Sequence, residues 1–182
     1  SDPRQAEPLF RDLGSECTRL ILDLPDPDTE AEAIRLGLDP SISPFSRDSA
    51  WFEISTWREL VAQFFDAPGQ AEGLQRLSKV EIRVGSPKSS RTPRLAVWLA
   101  AWLAGQLGWR AISRETLADG SLNAQFQSKS REVLIEIQNQ PLESKSSAMI
   151  RGVTLTLDHA DGVETFKLDR PMANSPHIRV EI

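Results

Sequence analysis

The chain has 182 residues, 40% hydrophobic and 26% charged, a composition suited to a folded globular protein and unlike a disordered or fibrous one. A net charge of -5, with no extended basic run, argues against a nucleic-acid footprint. A single cysteine, Cys17, cannot close an internal disulfide, so a disulfide scaffold is excluded and a cytoplasmic location is expected.

The N-terminal stretch has no signal-peptide pattern. The longest apolar run, Leu95 to Ala104, covers ten residues. A membrane span needs about 20, so a buried helix is expected there and no membrane partner. The polar, proline-containing start at Ser1 and the apolar finish at Ile182 suggest a piece of something longer.

In chain order, Pro8 to Cys17 reads as a short helix with Leu9, Phe10 and Leu13 on one face and Cys17 as a small core residue. Arg19 to Leu24 is apolar on both faces, as in a strand covered on two sides. Asp26-Pro27 begins a turn, and Thr29 to Leu36 reads as a helix stopped by Gly37. The carboxylates Asp26, Asp28, Glu30 and Glu32 cluster at that helix start, where negative charge complements the dipole. Pro40 to Asp48 is expected to be a loop. Thr56 to Asp66 is the clearest helix: Thr56 and Glu59 have the spacing of a capping box. Trp57, Leu60, Val61, Phe64 and Phe65 then form one apolar stripe.

Lys79 to Val84 alternates strictly, which points Val80, Ile82 and Val84 inward. The basic stretch Lys88 to Arg94 reads as a solvated connection. Thr92 to Leu107 is the longest helix, opened by Pro93 and closed by Gly108. Its apolar character all round predicts burial on more than one side. Beyond it the texture changes. Leu122, Ala124 and Phe126 alternate, as do Val133, Ile135 and Ile137, and Val153, Leu155 and Leu157. Asp161-Gly162 supplies a tight turn before Phe166 and Leu168, and Ile178, Val180 and Ile182 make a last strand. The expected class is α+β: a mixed α/β part over residues 1–115 followed by an antiparallel sheet over 116–182, packed as one unit.

Catalytic signatures are missing. The sequence has no glycine-rich phosphate loop of the familiar kinds and no G-x-S-x-G nucleophile elbow. One cysteine and two histidines, His159 and His177, cannot assemble a zinc site of several Cys and His ligands. Asp158, His159 and Asp161 gather at a turn whose geometry itself asks for such residues. Asp169-Arg170 reads as an ion pair at a strand end. No catalytic residue, metal ligand or cofactor is assigned. Of the aromatic residues, five are tryptophan and none is tyrosine. Trp51, Trp57, Trp98, Trp102 and Trp109 all lie in the first part, with Trp98 and Trp102 on one helix face, open to core packing or to a partner.

One stretch is more specific. Trp51 to Asp66 (WFEISTWRELVAQFFD) resembles the signature of glucose-6-phosphate dehydrogenase assembly proteins, the OpcA family, at Asp48, Trp51, Thr56, Trp57, Arg58, Glu59, Leu60, Ala62, Gln63, Phe65 and Asp66. Pro8 to Leu24, Leu95 to Trp109, and Gly152 to Arg170 with its Phe166-x-x-x-Arg170 run are similar to further segments of that family. The resemblance implies a non-catalytic effector that binds and activates glucose-6-phosphate dehydrogenase, an enzyme of the oxidative pentose phosphate pathway. It also implies a link to thioredoxin through the full-length protein, although Cys17 alone cannot form a redox disulfide. On this reading Arg58, Glu59, Trp98, Trp102 and Arg170 are the candidate partner contacts. The alternatives are a sugar-phosphate or other anion-binding domain built on Arg58, Arg151, Arg170 or Arg179, since arginine suits phosphate, or a module that only completes a larger fold.

Overall fold

The computed structural model describes residues 20–22, 46–66, 71–86, 93–142, 149–171 and 177–181. The helices expected at Pro8 to Cys17 and Thr29 to Leu36, the carboxylates between Asp26 and Glu32, most of the Lys88 to Arg94 stretch and Ile182 lie outside the described residues. The chain divides into two compact units, Ser1–Ser55 and Thr56–Ile182.

In the first unit, β1 (Leu20–Leu22) pairs in parallel with β2 (Ser46–Asp48), Leu20 facing Ser46 and Leu22 facing Asp48. β1 falls inside the expected strand. β2 falls where a loop was expected, because a Ser-Arg-Asp segment has no apolar alternation to announce it and is a strand through backbone pairing alone. A short helix α1 (Ser49–Glu53) follows directly. The Ile54 N–H donates to the Ala50 carbonyl at 3.2 Å, and the Ser55 hydroxyl donates to the Phe52 carbonyl at 2.7 Å.

The signature helix α2 spans Ser55–Asp66. It starts before Thr56, which therefore lies exposed inside the first turn and not at the cap position that a capping box requires. The apolar stripe is as expected: Trp57, Val61, Phe64 and Phe65 are buried, and Leu60 is half-buried. A 3-10 helix at Ala71–Arg76 leads into the sheet.

Seven strands make one mixed sheet: β3 (Leu77–Ser86), β4 (Arg110–Thr116), β5 (Leu122–Gln127), β6 (Glu132–Pro141), β7 (Met149–His159), β8 (Gly162–Asp169) and β9 (Arg179–Glu181), in the order β4-β5-β6-β3-β7-β8-β9. The α+β class is the one observed. The strands after residue 116 pair antiparallel with their neighbours in the chain, but β3 enters between β6 and β7 and runs parallel to β6. The alternating positions expected to point inward do so at the centre: Val80, Ile82 and Val84, Val133, Ile135 and Ile137, Val153, Leu155 and Leu157, and Phe166 and Leu168 are each at most 2% exposed. Burying each such side chain is worth about 1.5–3 kcal/mol, which makes these central strands the anchor of the second unit.

The edges were harder to anticipate. β4 was not expected, because all of its residues are exposed and an unburied edge strand carries no hydrophobic alternation. At the other edge, Val180 of β9 is 46% exposed and does not reach the core.

Helix α3 (Arg94–Gln106) packs across β3, β6 and β7. Pro93 sits at its N-cap with φ -59°. At its other end Gly108 takes φ 64°, the Trp109 N–H reaches the Ala104 carbonyl at 2.9 Å and the Gly108 N–H reaches the Gly105 carbonyl at 3.3 Å, a Schellman closure. Burial on more than one side is not what the structure shows. Leu95, Ala96, Leu99, Ala100, Leu103 and Ala104 are buried, whereas Val97, Ala101 and Gly105 form an exposed stripe. Val97, Ala101 and Gly105 keep that stripe apolar although it is exposed.

Candidate functional site

The two most specific sequence segments meet in space. Along α2, Trp57 and Phe64 are separated by about two turns, roughly 10 Å. Along β8 and its end, Phe166 and Arg170 are separated by four residues of extended chain, roughly 13 Å. The spans match closely enough for both pairs to engage: the Phe64 and Phe166 rings stack at 4.0 Å between centroids and 19°, and the Arg170 guanidinium lies over the Trp57 ring at 5.5 Å. The Phe166-x-x-x-Arg170 run is thus the surface on which the tryptophan–arginine–glutamate–leucine helix docks.

Arg170 also borders a polar cleft of about 290 Å³, lined by Arg83, Gln140, Arg151, Asp169, Arg170, Pro171 and Arg179. Register explains much of the gathering. Arg83 of β3 faces Gly152 of β7, Gly152 faces Asp169 of β8, and Asp169 faces Arg179 of β9. Arg151 joins them through a β-bulge: between Arg83 and Val84 the β7 partner moves from Gly152 to Ile150, leaving Arg151 as the extra residue. Such a bulge re-aims a side chain. The buried positions of β7 change phase there, from Ile150 to Val153, Leu155 and Leu157.

Gly152 keeps the middle of this row open. A Cβ at Gly152 would meet the Arg83 guanidinium and would come within 2.7 Å of Asp169 Oδ1. Its absence lets Arg83 reach over β7 and donate to Asp169. The ion pair expected between Asp169 and Arg170 is therefore made with Arg83 instead, while Arg170 turns to Trp57 and donates its backbone N–H to the Arg151 carbonyl at 2.8 Å. Arg179 stands 3.9 Å from Glu181 in an exposed pair. The Nε of Arg170 is buried and meets no acceptor among the described residues.

Of the four arginines read as possible anion ligands, the cleft collects Arg151, Arg170 and Arg179 and not Arg58. It adds Arg83 and Gln140, which sequence reasoning passed over: each is one more outward residue of an alternating strand, and nothing local distinguishes it. Among the candidate partner contacts, Arg58, Trp98 and Trp102 are half-buried and Glu59 is exposed. Arg58 is more exposed than Trp57, which is 2% exposed, although the Arg58 Nε is itself buried. A second concavity of about 580 Å³, between α3 and the β4–β5 edge, is apolar; Val97, Ala101 and Gly105 of the exposed stripe line it with Trp109, Ile112 and Phe126.

The polar turn at the β7–β8 hairpin is held by internal contacts. Asp158 accepts from Arg131 Nη1 at 2.7 Å and from the Ser78 hydroxyl at 2.8 Å, and His159 pairs with Glu164 at 2.8 Å. Among the described residues there is no group of three or more His, Cys, Asp or Glu side chains placed to hold a metal, and no helix long and apolar enough to cross a membrane.

The chain is 29% identical over 114 residues to the putative OxPP cycle protein OpcA of Synechococcus elongatus, covering 61% of this chain and 24% of that protein. It is 26% identical over 106 residues to the OpcA protein of Nostoc punctiforme, covering 58% and 22%. The chain thus spans about a quarter of the length of the curated relatives it matches. Among solved structures it is similar to a dehydrogenase (MviM) from Clostridium difficile at 9% identity and a TM-score of 0.47, over 97% of this chain and 59% of that one, a level that carries no functional argument. Residues 44–174 include α2, strands β3 to β8 of the seven-stranded sheet and the Phe166-x-x-x-Arg170 run. They match the family model for the C-terminal domain of the glucose-6-phosphate dehydrogenase subunit, and the chain belongs to that OpcA family.

Proposed function

We propose that this chain is a non-catalytic effector segment that binds glucose-6-phosphate dehydrogenase and shifts its assembly or its affinity for substrate, in the cytoplasm. The observation that carries the reading is the family match over residues 44–174. It is supported by the form of the molecule: among the described residues the charged side chains of the cleft are four arginines and Asp169, which makes a binding surface. Arg58, Glu59, Trp98, Trp102 and Arg170 are the proposed partner contacts. Regulation by thioredoxin requires cysteines beyond Cys17, supplied by a longer protein.

An effector acts only through contacts that differ between two states of its target, typically worth about 1–3 kcal/mol, or about 5–150-fold in affinity. The test is a steady-state assay of the dehydrogenase with rising amounts of the full-length protein, beside a size measurement of the mixture, under reducing and oxidising conditions. A complex with a changed apparent substrate affinity is expected. The absence of both a complex and a kinetic change, under reducing and oxidising conditions alike, defeats the reading.

A further inference from the structure

The chain is acidic, with a net charge of -5, yet among the described residues it brings Arg83, Arg151, Arg170 and Arg179 together on one small concavity with a single carboxylate, Asp169. That carboxylate is already engaged by Arg83. Among the described residues Arg179 has only the long, exposed pair with Glu181 at 3.9 Å. Arg151 has no carboxylate partner among the described residues. Arg170 keeps a buried Nε without an acceptor among them. Clustered cations of this kind repel one another and raise the local concentration of anions.

We propose that the cleft binds a small phosphorylated polyol, with its phosphate held by Arg151, Arg170 and Arg179 and a hydroxyl met by Gln140. Guanidinium forks match the geometry of phosphate oxygens and hold them in paired hydrogen bonds. A volume of about 290 Å³ sits at the lower end of ligand pockets, about 300–1,000 Å³, which suits one phosphate ester on a small body and not a dinucleotide. Apart from Pro171 every described lining residue is polar or charged, which suits a hydroxylated body and not an aromatic base. The bulge turns Arg151 onto this face and Gly152 clears the space beside it, so the strand geometry itself shapes the site. Arg170 carries occupancy to α2, because the same guanidinium lies over Trp57.

The experiment is calorimetric titration of the 182-residue chain, without the dehydrogenase, at fixed physiological ionic strength. The probes are glucose 6-phosphate, inorganic phosphate, citrate and neutral glucose. Saturable binding of glucose 6-phosphate at about millimolar Kd or tighter is expected, with inorganic phosphate weaker, citrate weaker still and glucose inert. Arg151→Gln and Arg179→Gln should each weaken it at least about tenfold. Asp169→Asn removes the one carboxylate and releases Arg83, and should tighten it; circular dichroism establishes that each variant is folded. The proposal is overturned by no saturable heat up to about 10 mM, by equal binding of all anions that salt abolishes, or by affinity unchanged in both arginine variants. It is also overturned if phosphates do not bind while Arg151→Gln weakens association with the dehydrogenase, which assigns the cleft to acidic side chains of a protein partner. The dehydrogenase is absent from the titration, so its failure leaves the effector reading standing.

Discussion

The Arg170 guanidinium lies over the Trp57 indole, 5.5 Å from the ring centroid, and so ties the end of β8 to the first turn of α2. The two sides of this contact carry unequal weight. Trp57 is 2% exposed, so Trp57→Ala should cost about 3–5 kcal/mol, as large aromatic truncations do. Arg170→Ala removes the cation–π contact and should cost about 0.5–2 kcal/mol. Urea denaturation of both variants measures the difference, and a similar loss in the two would show that the arginine contributes as much as the indole to holding α2 in place.

The open row at Gly152 makes a second expectation. Gly152→Ala places a methyl where the Arg83 guanidinium passes, within 2.7 Å of Asp169 Oδ1. The end of the arginine can swing away, so the fold should survive with a loss of about 1 kcal/mol or less, the scale of a solvent-screened ion pair. A double-mutant cycle with Asp169→Asn checks this. If the pair is what Gly152 protects, the two substitutions together should cost no more than the larger alone.

The end of α3 depends on a left-handed residue. Gly108 has φ 64° with open space around its α-carbon, so the penalty for a side chain there is conformational and not steric crowding. Gly108→Ala should lower stability by about 1 kcal/mol. Gly105→Ala, inside the helix with nothing within 4 Å of the added methyl, should raise it by about 0.5–1 kcal/mol. Opposite shifts of the thermal midpoint in the two variants are the expected result.

Lys79 sets a limit on the pH response of the sheet. Burial works against its charge, but the hydrogen bond to Glu136 and the nearby Glu81 outweigh it and hold its pKa above the ordinary 10.5. The salt bridges measure 3.1 Å to Glu136 and 3.6 Å to Glu81. A raised pKa in the folded state stabilises fully below the unfolded value and is lost as pH rises through the folded one. The contribution should therefore be flat through neutral pH and fall away only above about pH 10.5. Denaturant midpoints of wild type and Lys79→Met across alkaline pH should converge there, and convergence near neutrality would contradict it.

Some parts of the second unit answer to one-dimensional rules, and local sequence was enough for them. The stripe from Trp57 to Phe65 wrote α2, because helix period and burial coincide there. Strict alternation wrote the inward faces of β3, β6, β7 and β8, and Pro93 with Gly108 bracketed α3. The family resemblance was legible as well, on the α2 residues themselves. Tertiary structure decided the rest. It placed β3 between β6 and β7, where long-range pairing outweighs chain proximity. It made strands of β2 and β4, whose backbones pair although their sequences show no buried period. It moved the Asp169 partner from its neighbour Arg170 to Arg83. Successive strand residues point to opposite faces, whereas a glycine on the intervening strand leaves room for an arginine to cross it. The arginine cleft belongs wholly to this second category: its lining comes from several strands and a bulge, and only register brings those residues to one point.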